Sequence, residues 1–351
     1  MARLIFSREE LSRFCVDVFV KVGVPRGDAE VVADHLVTAS LRGVDSHGVV
    51  RIPFYVEGIK KSLVVARPSI RVLRESPVSA LVDGGGGLGV VVAARATSMA
   101  LEKARRSGVG FVAVRNLGHV GMLAYYTMRI AREGMVGFAV ANGPALVAPW
   151  GGAERVFGTN PLSYAFPRRS GGAIVLDIAT SAMASFRIRL AAMRGERIPE
   201  GVALDKEGNP TTDPGEALEG VLLPFGAHKG YGFSLLAELV AVAIAGGLTS
   251  KEVVLHPSTQ GGFFVAALNP TIFRDPEEFL EDVEKVVKIV KSTRPAKGFR
   301  EVLLPGEKEE KVYQERLRSG IPVDEEVWRS CLLYTSPSPR DLSTSRMPSS
   351  A

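Results

Sequence analysis

Asp45-Ser46-His47-Gly48, followed by Arg51, places a proton-transfer group and an anion-binding group four residues apart. A neutral imidazole can take a proton near neutral pH, and a guanidinium can grip a carboxylate with two parallel hydrogen bonds. If Asp45 or Ser46 caps a helix, His47 and Arg51 lie on one face of it, one above the other. The pair suits a small hydroxy- or keto-acid. The same spacing also occurs on ordinary wet helical faces, so its meaning depends on what else can meet it.

Several other groups are candidates. Gly118-His119-Val120-Gly121 follows an expected strand and opens an expected helix, so His119 can face a ligand or simply bond a backbone carbonyl. Asn142, Thr159 and Asn160 sit in a glycine- and proline-rich stretch whose turns explain the glycines but not the amide and hydroxyl groups. Asp177 ends a strand, where a carboxylate can orient an imidazole. Thr180 and Ser181 follow at a helix start, suited either to phosphate or to plain N-capping. His228-Lys229 precedes an apolar helix, where Lys229 can neutralise a phosphate or be a solvated lysine. Pro305-Gly306-Glu307 reads as a turn. The run Gly84 to Gly89 has the G-x-G-x-x-G spacing of a Rossmann turn, but no acidic residue follows the next strand, which favours a plain strand-to-helix turn. No motif supports a metal site or a serine hydrolase.

Residues 7–43 read as two helices, the first opened by a Ser7/Glu10 capping box. A third runs from about Ser46 to Lys61, with Pro53 a source of kinking. From Ile70, strands at 70–73, 79–83, 110–114, 136–140, 174–177 and 263–267 alternate with helices at 88–107, 121–133, 181–194, 230–245 and 276–292, the pattern of an α/β domain. The apolar stretch Gly232 to Leu248 is short for a membrane span and contains Glu238, so a buried helix is expected.

The chain has 351 residues, 46% hydrophobic and 23% charged, with net charge +5. That is a globular composition with dispersed charges, and it excludes a nucleic-acid-binding stripe. The start carries no signal-peptide core and membrane attachment is not expected. Of two cysteines, Cys15 and Cys331, the second falls in the terminal stretch; a single remaining cysteine cannot form an internal disulfide, which fits a reducing cytoplasm. Residues 331–351, rich in Ser and Pro, read as a foreign, disordered tail in place of the natural end.

Together and in order, LRGVDSHGVVR (41–51), GHVG (118–121), APWGGAERVFGTNP (148–161), LDIATSA (176–182), IPEG (198–201), HKGYG (228–232) and PGE (305–307) resemble the malate/L-lactate dehydrogenase family of the non-Rossmann type. The resemblance runs from about Ser7 to Trp328. It implies an α/β fold: a non-Rossmann, mixed-sheet nicotinamide-binding domain (71–270), and a mainly helical domain built from N-terminal (1–70) and C-terminal (271–330) segments. It implies a homodimer with the site near the interface, NAD or NADP as cofactor, and a small 2-hydroxy/2-oxo acid of the malate/oxaloacetate, lactate or sulfolactate type. Reduction of a cyclic imine, ureidoglycolate chemistry, or dinucleotide binding without catalysis remain alternatives. Carried over, His47 is the acid/base, Asp177 orients it, and Arg51, His119, Thr159 and Asn142 bind substrate. Asn160, Ile178, Ala179, Thr180, Ser181, Ala182, Met183, His228, Lys229, Pro305, Gly306 and Glu307 bind cofactor. Where the family often has Gly-Lys, this chain has Phe186-Arg187.

Overall fold

The computed structural model describes residues 3–332. The chain runs β1 (Arg3–Phe6), α1 (Arg8–Lys21), α2 (Arg26–Leu41), α3 (Ile52–Lys60), β2 (Arg71–Glu75), β3 (Ser79–Gly87), α4 (Gly89–Ser107), β4 (Val109–Leu117), α5 (Ala124–Arg132) and β5 (Val136–Asn142). It continues with β6 (Leu162–Pro167), β7 (Ala173–Ile178), α6 (Ser185–Arg194), β8 (Ala203–Leu204), β9 (Pro210–Thr211), α7 (Pro214–Glu219), β10 (Val221–Leu222) and α8 (His228–Leu239). It closes with β11 (Gly262–Leu268), α9 (Pro276–Lys291), α10 (Glu307–Ser319), β12 (Ile321–Asp324) and α11 (Glu325–Leu332).

Among the described residues, seven strands form one mixed sheet in the order β2-β3-β4-β11-β5-β6-β7. Only β3 and β4 pair in parallel; β11 lies antiparallel to both β4 and β5. Its run Gly-Phe-Phe-Val-Ala-Ala-Leu lacks polar alternation because the strand is central and covered on both faces. Helices α4 and α5 pack on the sheet around Val92, Ala96, Tyr126 and Phe263. This arrangement is α/β with a mixed sheet, and it is not a doubly wound parallel one.

A second core joins both ends of the chain. Leu11, Phe19, Leu36 and Tyr55 pack with Ile321, Val323 and Trp328, while β1 pairs antiparallel with β12. Helix α9 stands apart from this group and is bonded to the β6–β7 turn through Arg168–Glu284 and Arg169–Glu277. The segment 271–330 therefore divides, and only its later part joins the N-terminal helices. Helix α11 runs through Cys331 and Leu332, so the expected tail boundary at 331 does not coincide with its end. The rest of that expected tail, residues 333–351, lies outside the described residues.

Three local expectations are corrected. No continuous helix runs from 46 to 61: two 3-10 turns, Asp45–His47 and Val49–Arg51, are separated at Gly48, and α3 follows. Pro53 sits in the first turn of α3, where its missing N–H costs nothing. The apolar helix α8 is not buried. It continues into a π-turn, Val240–Ile244, and Phe233, Leu236, Leu239 and Ile244 are each roughly half exposed. Helix α5 begins at Ala124, leaving His119 on a loop rather than at a helix start.

The Gly84–Gly89 run is a packing turn. Gly85 and Gly86 have positive φ, and a Cβ at Gly89 would meet the Gly118 carbonyl at 1.8 Å. Asp83 accepts hydrogen bonds from Gly85 N–H and Asn116 Nδ2, each at 2.9 Å.

Candidate active site

A cavity of about 900 Å³ lies between the 45–51 turns, the 119–122 loop, the end of β7, the 255–260 segment, α6 and the 303–306 turn. His47, Arg51, His119, Thr159, Asp177, Ile178, Ala179, Pro305 and Gly306 line it.

The turns that present His47 and Arg51 are fixed from both ends of the chain. Asp45 is ion-paired with Arg316 of α10 at 2.5 Å, and Ser40 Oγ accepts from Val49 N–H at 3.1 Å. Gly48 is required there: a Cβ would lie 2.1 Å from Ser40 Oγ. Ser46 then serves both functional side chains. Its Oγ lies 2.9 Å from His47 Nδ1, and its carbonyl accepts from Arg51 Nε at 2.6 Å. Arg51 Nη1 reaches the Pro257 carbonyl at 3.4 Å, leaving Nη2 without a partner among the described residues.

His119 is tied similarly. Its N–H donates to the Ser258 carbonyl at 2.8 Å, and its Nδ1 lies 2.8 Å from the hydroxyl of buried Tyr55. The loop beyond it rests on His35, whose Nε2 accepts from Met122 N–H at 2.9 Å. Gly121, at φ 73°, passes so close that a Cβ would sit 2.1 Å from the His35 ring.

The electrostatics keep both site imidazoles neutral. Burial holds His47 far below its ordinary value, and the Arg51 charge adds to this. Burial and Arg51 act on His119 in the same direction. Burial also lowers the pKa of Arg51, with Arg189 adding a repulsive charge. Asp177 shifts the opposite way, raised to about 6 by burial and only partly held back by N–H groups of Ala124 and Leu123.

Asp177 does not orient His47 within this chain. Its Oδ2 accepts from Ala124 N–H at 2.7 Å, at the start of α5, and Ser46 is the partner of the imidazole. The strand end that made Asp177 attractive points its carboxylate at free helix N–H groups, which satisfy it.

Other expected site residues are spent on structure. Asn142 donates to the Leu248 carbonyl at 2.9 Å and accepts from Gly262 N–H at 2.7 Å. Asn160 donates to Glu238 at 2.9 Å and to the Ser234 carbonyl at 3.1 Å. Both amides are fully buried beneath the cavity. Thr180 donates to the Thr159 carbonyl, Ser181 to the Met183 carbonyl, and Ala182 N–H to the Leu223 carbonyl. Met183 packs on the small core around Val147 and Ile188. Glu307 binds Lys291 and the Leu304 N–H, both near 2.8–2.9 Å. His228 and Lys229 are exposed at the start of α8, off the cavity wall.

Sequence reasoning missed Ser46 and Tyr55 as partners of the two imidazoles, and Arg42, Arg155 and Arg189 as cavity cations. Tyr55 lies one helical turn after Arg51, a findable spacing, but it reads as a core aromatic. The 255–260 segment carries no periodic signal.

The profile of the malate/L-lactate dehydrogenase family matches residues 6–331. The chain belongs to that family. It is 39% identical to the L-sulfolactate dehydrogenase of Methanocaldococcus jannaschii, covering 93% of this chain and 94% of that one. It is 41% identical to the malate dehydrogenase of Pyrococcus horikoshii, with 90% of each chain covered. The solved structure of the Methanocaldococcus jannaschii sulfolactate dehydrogenase superposes with a TM-score of 0.88 at 38% identity, covering 94% of this chain and 96% of that one. As a family member the chain is a hydroxy-acid oxidoreductase, and the family implies a nicotinamide cofactor.

The cavity suits such a group. Its volume is at the upper end for small-molecule sites, more than a short acid alone needs. Ile178, Ala179, Pro305 and Gly306 offer an apolar and backbone wall along one side of it.

Proposed function

We propose that this dehydrogenase interconverts a small 2-hydroxy acid and its 2-oxo acid, of the malate/oxaloacetate, lactate or sulfolactate type, using NAD or NADP. The observation that carries this reading is the convergence of His47 and Arg51 on one cavity, each tethered through Ser46. Ile178, Ala179, Pro305 and Gly306 would hold the nicotinamide cofactor, which when bound would supply hydride transfer at C2 of the acid.

Arg51 grips the substrate carboxylate with the part of its guanidinium not committed to Ser46 and Pro257. His47 Nε2 takes the hydroxyl proton on oxidation and returns it to the carbonyl oxygen on reduction. Ser46 Oγ, at Nδ1, fixes the ring's direction. His119 Nε2, free of the Tyr55 bond at Nδ1, borders the same space and would hydrogen-bond the substrate oxygen. Thr159 closes the wall. A carboxylate on Arg51 offsets the charge that depresses His47, so substrate binding itself makes the imidazolium needed for reduction easier to form.

The reading also includes a homodimer in a reducing cytoplasm. The exposed apolar side of α8, Phe233, Leu236 and Leu239, supports a covered face, and Cys15 is a free buried thiol. No described helix is long and apolar enough to cross a membrane.

The test is oxidation of NADH and NADPH with oxaloacetate, pyruvate and sulfopyruvate. Dinucleotide binding with no acid-dependent oxidation by any of them overturns the reading. A monomer by sedimentation overturns the dimer.

A further inference from the structure

We propose that Arg189 is a second anion clamp that makes the site select 2-oxo acids carrying two acidic groups over those carrying one. The inference rests on the hydroxy-acid reading above and deepens it.

Four arginines line the cavity. Two are already committed. Arg42 is ion-paired with Glu310 at 2.8 Å and also reaches the Gly306 carbonyl. Arg155 donates to the carbonyls of Leu218, Glu219 and Gly220 at 2.7–2.9 Å. Arg51 keeps part of its fork free for the first carboxylate. Arg189 makes no hydrogen bond or ion pair among the described residues.

Helix α6 aims it. Ser185 and Arg189, one turn apart, both line the cavity, so that side of α6 forms part of the wall. The Arg189 charge is close enough to depress Arg51. Two uncompensated guanidinium groups facing one space repel each other when it is empty. One carboxylate relieves one of them. A short acid with a distal carboxylate or sulfonate relieves both, and Arg189 has all five donors to offer it. Asp177 and Glu309 border the cavity too, but neither is paired with Arg189.

The experiment compares oxaloacetate with 2-oxobutyrate, a chain of the same length without the second carboxylate, in the full-length protein and in Arg189→Met and Arg189→Lys. Arg189 is exposed and both replacements are good helix formers, so folding is preserved. The wild type prefers oxaloacetate. Arg189→Met loses roughly 10- to 100-fold in kcat/KM for oxaloacetate, the scale of one charge-assisted hydrogen bond, and little for 2-oxobutyrate. Arg189→Lys retains part of the preference as a point charge. An equal loss for both acids, a wild-type preference for 2-oxobutyrate, or an effect confined to the KM of the dinucleotide overturns the assignment. A wild type that binds dinucleotide but reduces neither acid instead overturns the hydroxy-acid reading, and this inference with it.

Discussion

The rings of His47 and His119 stack with centroids 5.5 Å apart and planes 23° from parallel. Each has its Nδ1 held by a hydroxyl, from Ser46 and Tyr55 respectively, both histidines line the cavity, and neither Nε2 makes a hydrogen bond among the described residues. Two neutral imidazoles thus offer two proton carriers, and only the position of Arg51, on the turn that follows that of His47, favours one of them. Replacing His47 by Gln should cost about 10²- to 10⁴-fold in kcat with dinucleotide binding retained. His119→Gln should cost less and act mainly on KM. Steady-state kinetics with dinucleotide titration by fluorescence checks both; a reversed order of severity reassigns the acid/base to His119.

Ser46→Ala removes the hydroxyl from His47 Nδ1 but leaves the carbonyl that holds Arg51. The expected result is a kcat about tenfold lower with the KM for the acid unchanged, because imidazole direction is lost and carboxylate binding is not. Ser46→Thr should restore most of the rate. An effect on KM alone refutes the positioning role.

Arg51→Lys should raise the KM for the acid strongly, since an ammonium cannot reproduce the guanidinium fork. Its Nε bond to Ser46 would also go, so a smaller fall in kcat accompanies it.

The pH behaviour separates His47 from Asp177. His47 is held below its ordinary 6.5, so it stays a neutral base as pH falls, and kcat/KM for hydroxy-acid oxidation should not decline at 6.5 on its account. Asp177, raised to about 6, takes no part in the proton transfer, so Asp177→Asn should leave the acid side of that profile unchanged. A limb at 6.5 in both proteins overturns this assignment.

Asp177 also predicts a stability effect with a definite sign. Its folded pKa, about 6, lies above the unfolded 3.8, so the native state binds the extra proton and the buried carboxylate destabilises the fold above pH 6. That cost, up to roughly 3 kcal/mol, fades as pH falls from 6 to 3.8. Asn can still accept the Ala124 N–H. Thermal melts should therefore show Asp177→Asn more stable than wild type at pH 8 and nearly equal to it below pH 4.

Beneath the cavity, buried Glu238 accepts from Ser250 N–H at 2.6 Å, Ser250 Oγ at 2.7 Å, Asn160 at 2.9 Å and Asn142 at 3.3 Å. Glu238→Ala leaves these donors unsatisfied and should cost about 3–5 kcal/mol by denaturant unfolding. Glu238→Gln should cost less.

The sequence by itself determined the α/β alternation, the Ser7–Glu10 cap, the strand at 263–267 and the pairing of His47 with Arg51, because each is written in local spacing or side-chain type. It could not assign Asn142, Asn160 and Asp177. A carboxamide or carboxylate at a strand end looks the same whether it meets a ligand or a buried neighbour, and here Glu238 and the α5 N-terminus claimed them. Nor could it show that Ser46 and Tyr55 hold the imidazoles, that Arg316 anchors Asp45 from 271 residues away, or that Arg189 lines the cavity with no partner among the described residues. Those facts depend on which donors and acceptors the folded chain brings within hydrogen-bonding distance, and only the tertiary structure decides that.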